Sequence, residues 1–155
     1  MDQLDTAGLV SAIDSPNGPQ RDLVQQILIE RGDRAAAPGL KRLVREAKRA
    51  ETRLQALCTL AGMGELQDDI ILSALKDSNA GVRRHAVRLS ESSLGKSPAI
   101  GNGLISLAND SDPQVQLQLG YTLGEWGDAR VPKILSDMAW KHRDAPYLLT
   151  AIFSS

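Results

Sequence analysis

Lys76 to Leu89 reads KDSNAGVRRHAVRL, and Asn109 to Thr122 reads NDSDPQVQLQLGYT. Laid together, the two stretches share Asp-Ser, an Asn or Asp two residues after that Asp, and a Val three residues further on. Sliding this frame along the chain finds further copies, beginning at Asn17, Arg49, Asn79, Asp112 and Asp144, with spacings of 32, 30, 33 and 32 residues. Self-similarity at such a period is the sequence signature of a stacked-repeat architecture. Five copies account for the whole length, with approximate bounds at 1–32, 33–64, 65–95, 96–127 and 128–155. Three starts have the chemistry of a helix amino terminus. Asn79, Asp112 and Asp144 each carry an oxygen that can accept from the free N–H groups of a first turn, and Pro113 follows Asp112 at the position where proline is favoured. Asn17 fits as a fourth cap, whereas Arg49 offers no capping oxygen.

Downstream of each start, apolar or small residues fall at offsets of seven and ten or eleven, as in Ala56 and Leu60, Ala86 and Leu89, or Leu119 and Leu123. That is helical spacing. Upstream lies a second periodic set in each copy: Leu40, Leu43 and Val44; Ile70, Ile71, Ala74 and Leu75; Leu104, Ile105 and Leu107; Val131, Ile134, Leu135 and Met138. Each unit therefore reads as two antiparallel helices. No segment alternates apolar and polar residues with β-branched enrichment, and no Asn-Gly or Asp-Gly turn joins two such runs, so strands are not expected. The expected fold is all-α, an α-solenoid of about five helix pairs whose core forms only when neighbours stack. Ala56, Ala86 and Ala151 share offset seven, where bulk would push layers apart.

Composition bounds the rest. The 155 residues are 42% hydrophobic, 24% charged and 3% aromatic. Such a chain can bury roughly 70% of its unfolded surface without disulfides or a structural metal. One cysteine, Cys58, excludes an intramolecular disulfide, a four-ligand zinc cluster and a C-x-x-C-H haem site within these residues, and leaves the redox compartment unreadable. Cys58 sits in an apolar run and reads as a small buried hydrophobe. The longest stretch free of Asp, Glu, Lys and Arg runs from Ser97 to Asn109, too short for a membrane span. The opening MDQLDTAGLV has two acids and no basic n-region, so no signal peptide is expected there. Tyr121, Trp126, Trp140, Tyr147 and Phe153 crowd into the last two repeats and read as core or as a covered end surface.

Equal offsets in stacked repeats form columns. Offset four holds Arg21, Arg53, Arg83, Gln116 and Leu148. The expected role of the arginines is bridging turn carboxylates such as Asp77 and loop carbonyls, for which a planar five-donor guanidinium is suited. The competing role is a basic stripe for an anionic partner. A second basic feature spans Arg31 to Arg53, where Arg31, Arg34, Lys41, Arg42, Arg45, Lys48, Arg49 and Arg53 face only Asp33, Glu46 and Glu51. Lys41, Arg42 and Arg45 are its candidate polyanion patch, since lysine and arginine neutralise phosphates. A net charge of −1 and the lack of an aromatic in that segment disfavour nucleic acid and favour a solvated helix face. His85 and His142 lie in different repeats without a ligand at metal spacing. Gly62, Gly64, Gly101 and Gly103 make no phosphate loop and are expected to end helices or allow turns. The adjacent Asp68 and Asp69 point apart on a helix and suit the positive end of its dipole. No catalytic, cofactor-binding or metal site is expected, and Arg53, Arg84, Arg88 and Gln118 are the candidate contacts on the concave, second-helix surface.

The stretch Asp77 to Leu89, D-x-x-x-x-V-R-x-x-A-x-x-L, resembles HEAT repeats of the short bacterial kind. The order SPNGPQRDLVQQILIERGD (Ser15 to Asp33), RLQALCTLAGMGEL (Arg53 to Leu66), DSNAGVRRHAVRLSE (Asp77 to Glu91), VQLQLGYTLGE (Val115 to Glu125) and TAIFSS (Thr150 to Ser155) is similar to the HEAT region of large exported planctomycete proteins. There it lies between a β-propeller resembling sugar dehydrogenases and a carboxy-terminal c-type cytochrome domain. Cys58 departs from that pattern, which has a Trp. The resemblance implies an excised middle segment of a periplasmic or membrane-associated parent, with haem elsewhere, no cofactor on these residues, and the parent's own domains or another protein as partner. Two other HEAT-like families set the alternatives: alkylpurine DNA glycosylases, whose basic surface carries aromatic residues lacking here, and phycobilin lyase subunits. The function expected is that of a non-catalytic scaffold; the alternatives are a polyanion-binding module and a lyase- or glycosylase-type enzyme subunit.

Overall fold

The computed structural model describes residues 4–144, 149, 150 and 152. Among them all regular structure is helical. Nine α-helices are delimited among the described residues: α1 Thr6–Ala12, α2 Gly18–Arg31, α3 Ala37–Glu46, α4 Ala50–Gly62, α5 Asp68–Ala74, α6 Ala80–Leu89, α7 Pro98–Ser106, α8 Pro113–Gly124 and α9 Val131–Lys141. Short 3₁₀ turns at Arg34–Ala36, Ser90–Ser93 and Leu107–Asn109 lie between them. No described helix is long and apolar enough to cross a membrane.

Four repeat starts coincide with the residue preceding a helix. Asn17, Arg49, Asn79 and Asp112 are the N-cap residues of α2, α4, α6 and α8, each with extended backbone. Asn17 Oδ1 accepts from the Gln20 N–H, Asn79 Oδ1 from Gly81 and Val82, and Asp112 Oδ1 from Gln114 and Val115. These bonds satisfy amide donors that a helix start otherwise leaves open. Arg49 makes no such bond. Asp5 caps α1 through the Gly8 N–H, although it begins no copy of the repeat. Asp144 is exposed; of the residues after it, Leu149, Thr150 and Ile152 are helical, while Tyr147, Leu148, Ala151 and Phe153 lie outside the described residues.

The chain divides into two compact units, Met1–Ala74 and Leu75–Ser155. In the first, α1 packs on α2 and α3 on α4; in addition α1 meets α3, α3 meets α5, and α2 meets α4. First helices thus touch first helices and second helices touch second helices. Leu9, Ile13, Val24, Leu28, Leu40, Leu57, Leu60 and Ile70 are fully buried, each contributing on the order of 2 kcal/mol. Ala56 is fully buried too, and α2 comes close enough to α4 that a Cβ on Gly62 would overlap Ile29. Gly32, at φ +59°, ends α2 in the left-handed conformation that glycine adopts without a Cβ clash.

In the second unit α6 packs on α8 and α8 on α9, while the turn Leu107–Asn109 touches α7, α8 and α9. Val82, Ala86, Val87, Ile100, Leu104, Val115, Leu119 and Leu123 form its core. Gly101 and Gly103 lie inside α7, not at a turn, which corrects the expectation for both. Gly101 is buried, and the Trp126 indole lies so close that a Cβ there would overlap its Cη2 and Cζ2. Arg130 lies over the same ring, 5.4 Å from its centroid, and donates to Asn102 Oδ1 at 2.9 Å. Its doubly bonded partner Asp128 is held down at about 2, chiefly by the Arg130 guanidinium. The aromatics are otherwise more exposed than expected: Trp140 is 75% and Tyr121 44% accessible.

Replacing Gly101 by Ala gains helix propensity of about 1 kcal/mol yet forces the indole out of its seat, at a cost of roughly 1–3 kcal/mol. We expect G101A to be no more stable than wild type, or less, with altered Trp fluorescence, and W126L to remove the penalty when the two are combined. Additive Tm changes for the pair would contradict the contact.

Candidate functional site

The described members of the offset-four column, Arg21, Arg53, Arg83 and Gln116, share one task. A helical side chain leans toward the amino terminus, so a long donor one turn inside the helix reaches the loop before the cap. Arg21 Nη1 donates to the Ser15 carbonyl at 2.8 Å, Arg53 Nη1 to Ala47 at 2.9 Å and Lys48 at 3.2 Å, and Arg83 Nη1 to Asp77 at 2.8 Å and Ser78 at 3.1 Å. Gln116 Nε2 donates to the Asp110 carbonyl. Four times, therefore, the side chain satisfies a carbonyl six residues upstream, while the N-cap side chain, where present, satisfies amides downstream. The carboxylate that Arg83 takes is Asp110 rather than Asp77, with Nε–Oδ2 at 2.7 Å and Nη2–Oδ1 at 2.8 Å. This bidentate pair bridges two successive turns and leaves the side chains only 14% and 5% exposed. In the first unit Asp14, before α2, accepts from Thr52 Oγ1 at 2.6 Å and from Arg49, in a more exposed pairing.

The basic segment is similarly occupied. Lys41 and Arg45, one turn apart on α3, reach Gln67 Oε1 at 2.7 Å and Asp69 Oδ2 at 2.5 Å. Asp68 and Asp69 stand in the first turn of α5, as the dipole favours. Arg42, rotated about 100° from Lys41, is exposed on another face of α3. Of the candidate polyanion patch, Lys41 and Arg45 are thus engaged by α5 and the loop before it, while Arg42 lies exposed one turn from Arg45. Arg53 serves the junction before α4, at offset four of its copy, whereas Arg84 and Arg88 stand at offsets five and nine of theirs.

Arg84, Arg88 and Gln118 do come together. With His85, Gln114, Leu117 and Tyr121 they line an open groove of about 190 Å³ between α6 and α8. Arg84, His85 and Arg88 occupy offsets five, six and nine from Asn79; Leu117, Gln118 and Tyr121 occupy the same offsets from Asp112. One helical stripe, repeated, makes both walls. No lining residue is acidic, and among the described residues neither Arg84 nor Arg88 makes an ion pair. Glu91, next along the chain, is turned to Thr122 Oγ1 at 2.8 Å and toward the Gln118 amide. Burial first, then the charges of Arg88 and Arg84, push His85 below its ordinary value, so its imidazole is neutral near pH 7. Its Nδ1 is buried without a hydrogen-bond partner.

Sequence reasoning placed His85 as a partly exposed surface residue and did not include Gln114 or Tyr121; the shared offsets were the available signal. Cys58 is half-buried rather than buried. No group of three or more metal-ligating side chains occurs among the described residues. No protein-family model and no curated protein matches the sequence.

The Arg83–Asp110 pair gives a pH prediction. Burial raises the Asp110 carboxyl, but the Arg83 hydrogen bonds and the Asp112 N–H outweigh it and hold it below its ordinary range. A depressed carboxylate contributes stability that is complete above the unfolded value of about 3.9 and is lost as pH falls through the folded one. We expect Asp110→Asn to lower stability by about 2–4 kcal/mol at pH 7, because Arg83 is left without its buried partner. The gap to wild type should narrow below pH 4 in denaturant titrations. A gap independent of pH would contradict the assignment.

Proposed function

We propose that the chain is a non-catalytic scaffold, an α-solenoid of about five HEAT-like helix pairs, which holds a protein partner along the exposed stripe of its second helices. What carries this reading is the α6–α8 groove, where the same offsets of consecutive repeats present arginine, amide, Leu and Tyr side chains. The layer order of α1 to α5, with first helices on first and second on second, supports the stacked arrangement. At about 190 Å³ and open along one side, the groove is below the roughly 300–1,000 Å³ of small-molecule sites, which favours an extended partner over an enclosed substrate. The engagement of Lys41 and Arg45 by Gln67 and Asp69 weighs against the polyanion alternative. The resemblance of Ser15 to Asp33 and the runs after it supports a place as spacer in a larger exported haem-containing protein, where the partner is a neighbouring domain.

Titration calorimetry of the chain against each domain encoded beside it tests this. We expect micromolar binding to one of them, weakened at least tenfold by Tyr121→Ala with Tm unchanged. Binding indifferent to Tyr121, or none to any neighbouring domain, would contradict the docking assignment.

A further inference from the structure

Resting on the docking reading above, we propose that the α6–α8 groove takes a short extended peptide with carboxylates at alternate positions, seated on Arg84 and Arg88. The two arginines are four residues apart on one helix, a rise of about 6 Å. Alternate side chains of an extended segment share a face and stand about 6.5–7 Å apart, whereas adjacent ones point to opposite faces. An acid–x–acid pattern therefore meets both guanidinium groups, and an acid–acid pair meets only one. Each guanidinium presents a fork of donors that matches a carboxylate in two parallel hydrogen bonds.

The opposite wall suits the same ligand. Gln114 to Tyr121 spans about 10.5 Å, the length of about three extended residues. Gln114 offers an amide to a peptide backbone, Gln118, one turn on, has its amide turned toward Glu91 and Thr122, and Leu117 adds an apolar lining. No residue lining the groove is acidic, so none of them competes with an incoming carboxylate for the two guanidinium groups. In residues 1–74 the equivalent offsets hold Asp22, Leu23 and Gln26 on α2 and Leu54, Gln55 and Cys58 on α4. There Gln55 Nε2 bonds Asp22 Oδ1 at 3.2 Å, and no guanidinium is present at those offsets. The basic pair is thus peculiar to α6 and not a general property of the repeat. A nucleic-acid strand needs cations well beyond two, which a chain of net charge −1 does not concentrate here.

The experiment titrates the ¹⁵N-labelled full chain with nine-residue peptides of one flanking sequence, centred on Glu-Thr-Glu, Glu-Glu-Thr, Gln-Thr-Gln or Lys-Thr-Lys, and with an oligothymidylate. We expect Glu-Thr-Glu to shift the amides of Arg84, Arg88, Gln114 and Tyr121, and to bind about fivefold or more tightly than Glu-Glu-Thr. Arg84→Gln and Arg88→Gln should each weaken it about tenfold, as loss of a charge-assisted hydrogen bond implies. Arg84→Lys, which keeps the charge and loses the fork, should fall between, and the exposed Lys133→Gln should bind as wild type. Equal or stronger shifts with Gln-Thr-Gln or Lys-Thr-Lys would overturn the acidic assignment and leave the groove a docking site. Tighter binding of the oligothymidylate at these residues would overturn it in favour of nucleic acid. Silence at α6 and α8 toward every probe would overturn both this proposal and the docking reading.

Discussion

The carbonyl groups of the loops before α2, α4, α6 and α8 set the terms for the rest of the structure. Each loop turns into a helix within two or three residues, and its carbonyls point where no helical amide can reach them. An unsatisfied backbone acceptor at such a site costs on the order of 1–3 kcal/mol. Arg21, Arg53, Arg83 and Gln116 solve the problem from one turn inside the following helix. Because the donor must stand six residues after the acceptor, the loop, the cap and the first helical turn become one unit with fixed spacing. The repeat is conserved along the chain at that unit, while the rest of each copy drifts in sequence and in length.

That constraint decides where charge is available. An arginine at offset four is consumed by its own loop, and Arg83 additionally by Asp110, whatever its appearance in a column of basic residues. Arginines at offsets five and nine lie on the next face round the helix, past the loop's reach. Arg84 and Arg88 are such residues, and they line the groove. Arg53 and Arg84 differ by one offset, about 100° of rotation, and this separates a structural arginine from a surface one.

The helix starts were legible in the sequence because capping is local: Asn17, Asn79 and Asp112 act within four residues of themselves. The bridging role of the offset-four arginines was legible for the same reason, although the carboxylate that Arg83 takes, Asp110, is 27 residues away and only packing selects it. The groove was half legible. Polarity pointed to Arg84, Arg88 and Gln118, but grouping them with Arg53 ignored the offset, and Tyr121, read as core or a covered end surface, is 44% exposed. Gly101 looked like a turn glycine because composition alone cannot show the indole that lies against it. Charge alone marked Lys41, Arg42 and Arg45, and could not show that Gln67 and Asp69, more than 20 residues away, engage two of them.

If the loop-to-helix junction is the unit of construction, a whole copy should be removable at it. Deleting Asn79 to Ser111 joins Ser78 to Asp112 and recreates Asp-Ser-Asp, with Gln116 placed six residues after Asp77. A deletion half that length breaks the spacing. Helicity and thermal unfolding of the two shortened chains, followed by circular dichroism, test the account most directly. It predicts that the in-register deletion keeps a cooperative helical transition at lower Tm and that the half-length deletion loses it. Equal behaviour of the two chains would contradict it.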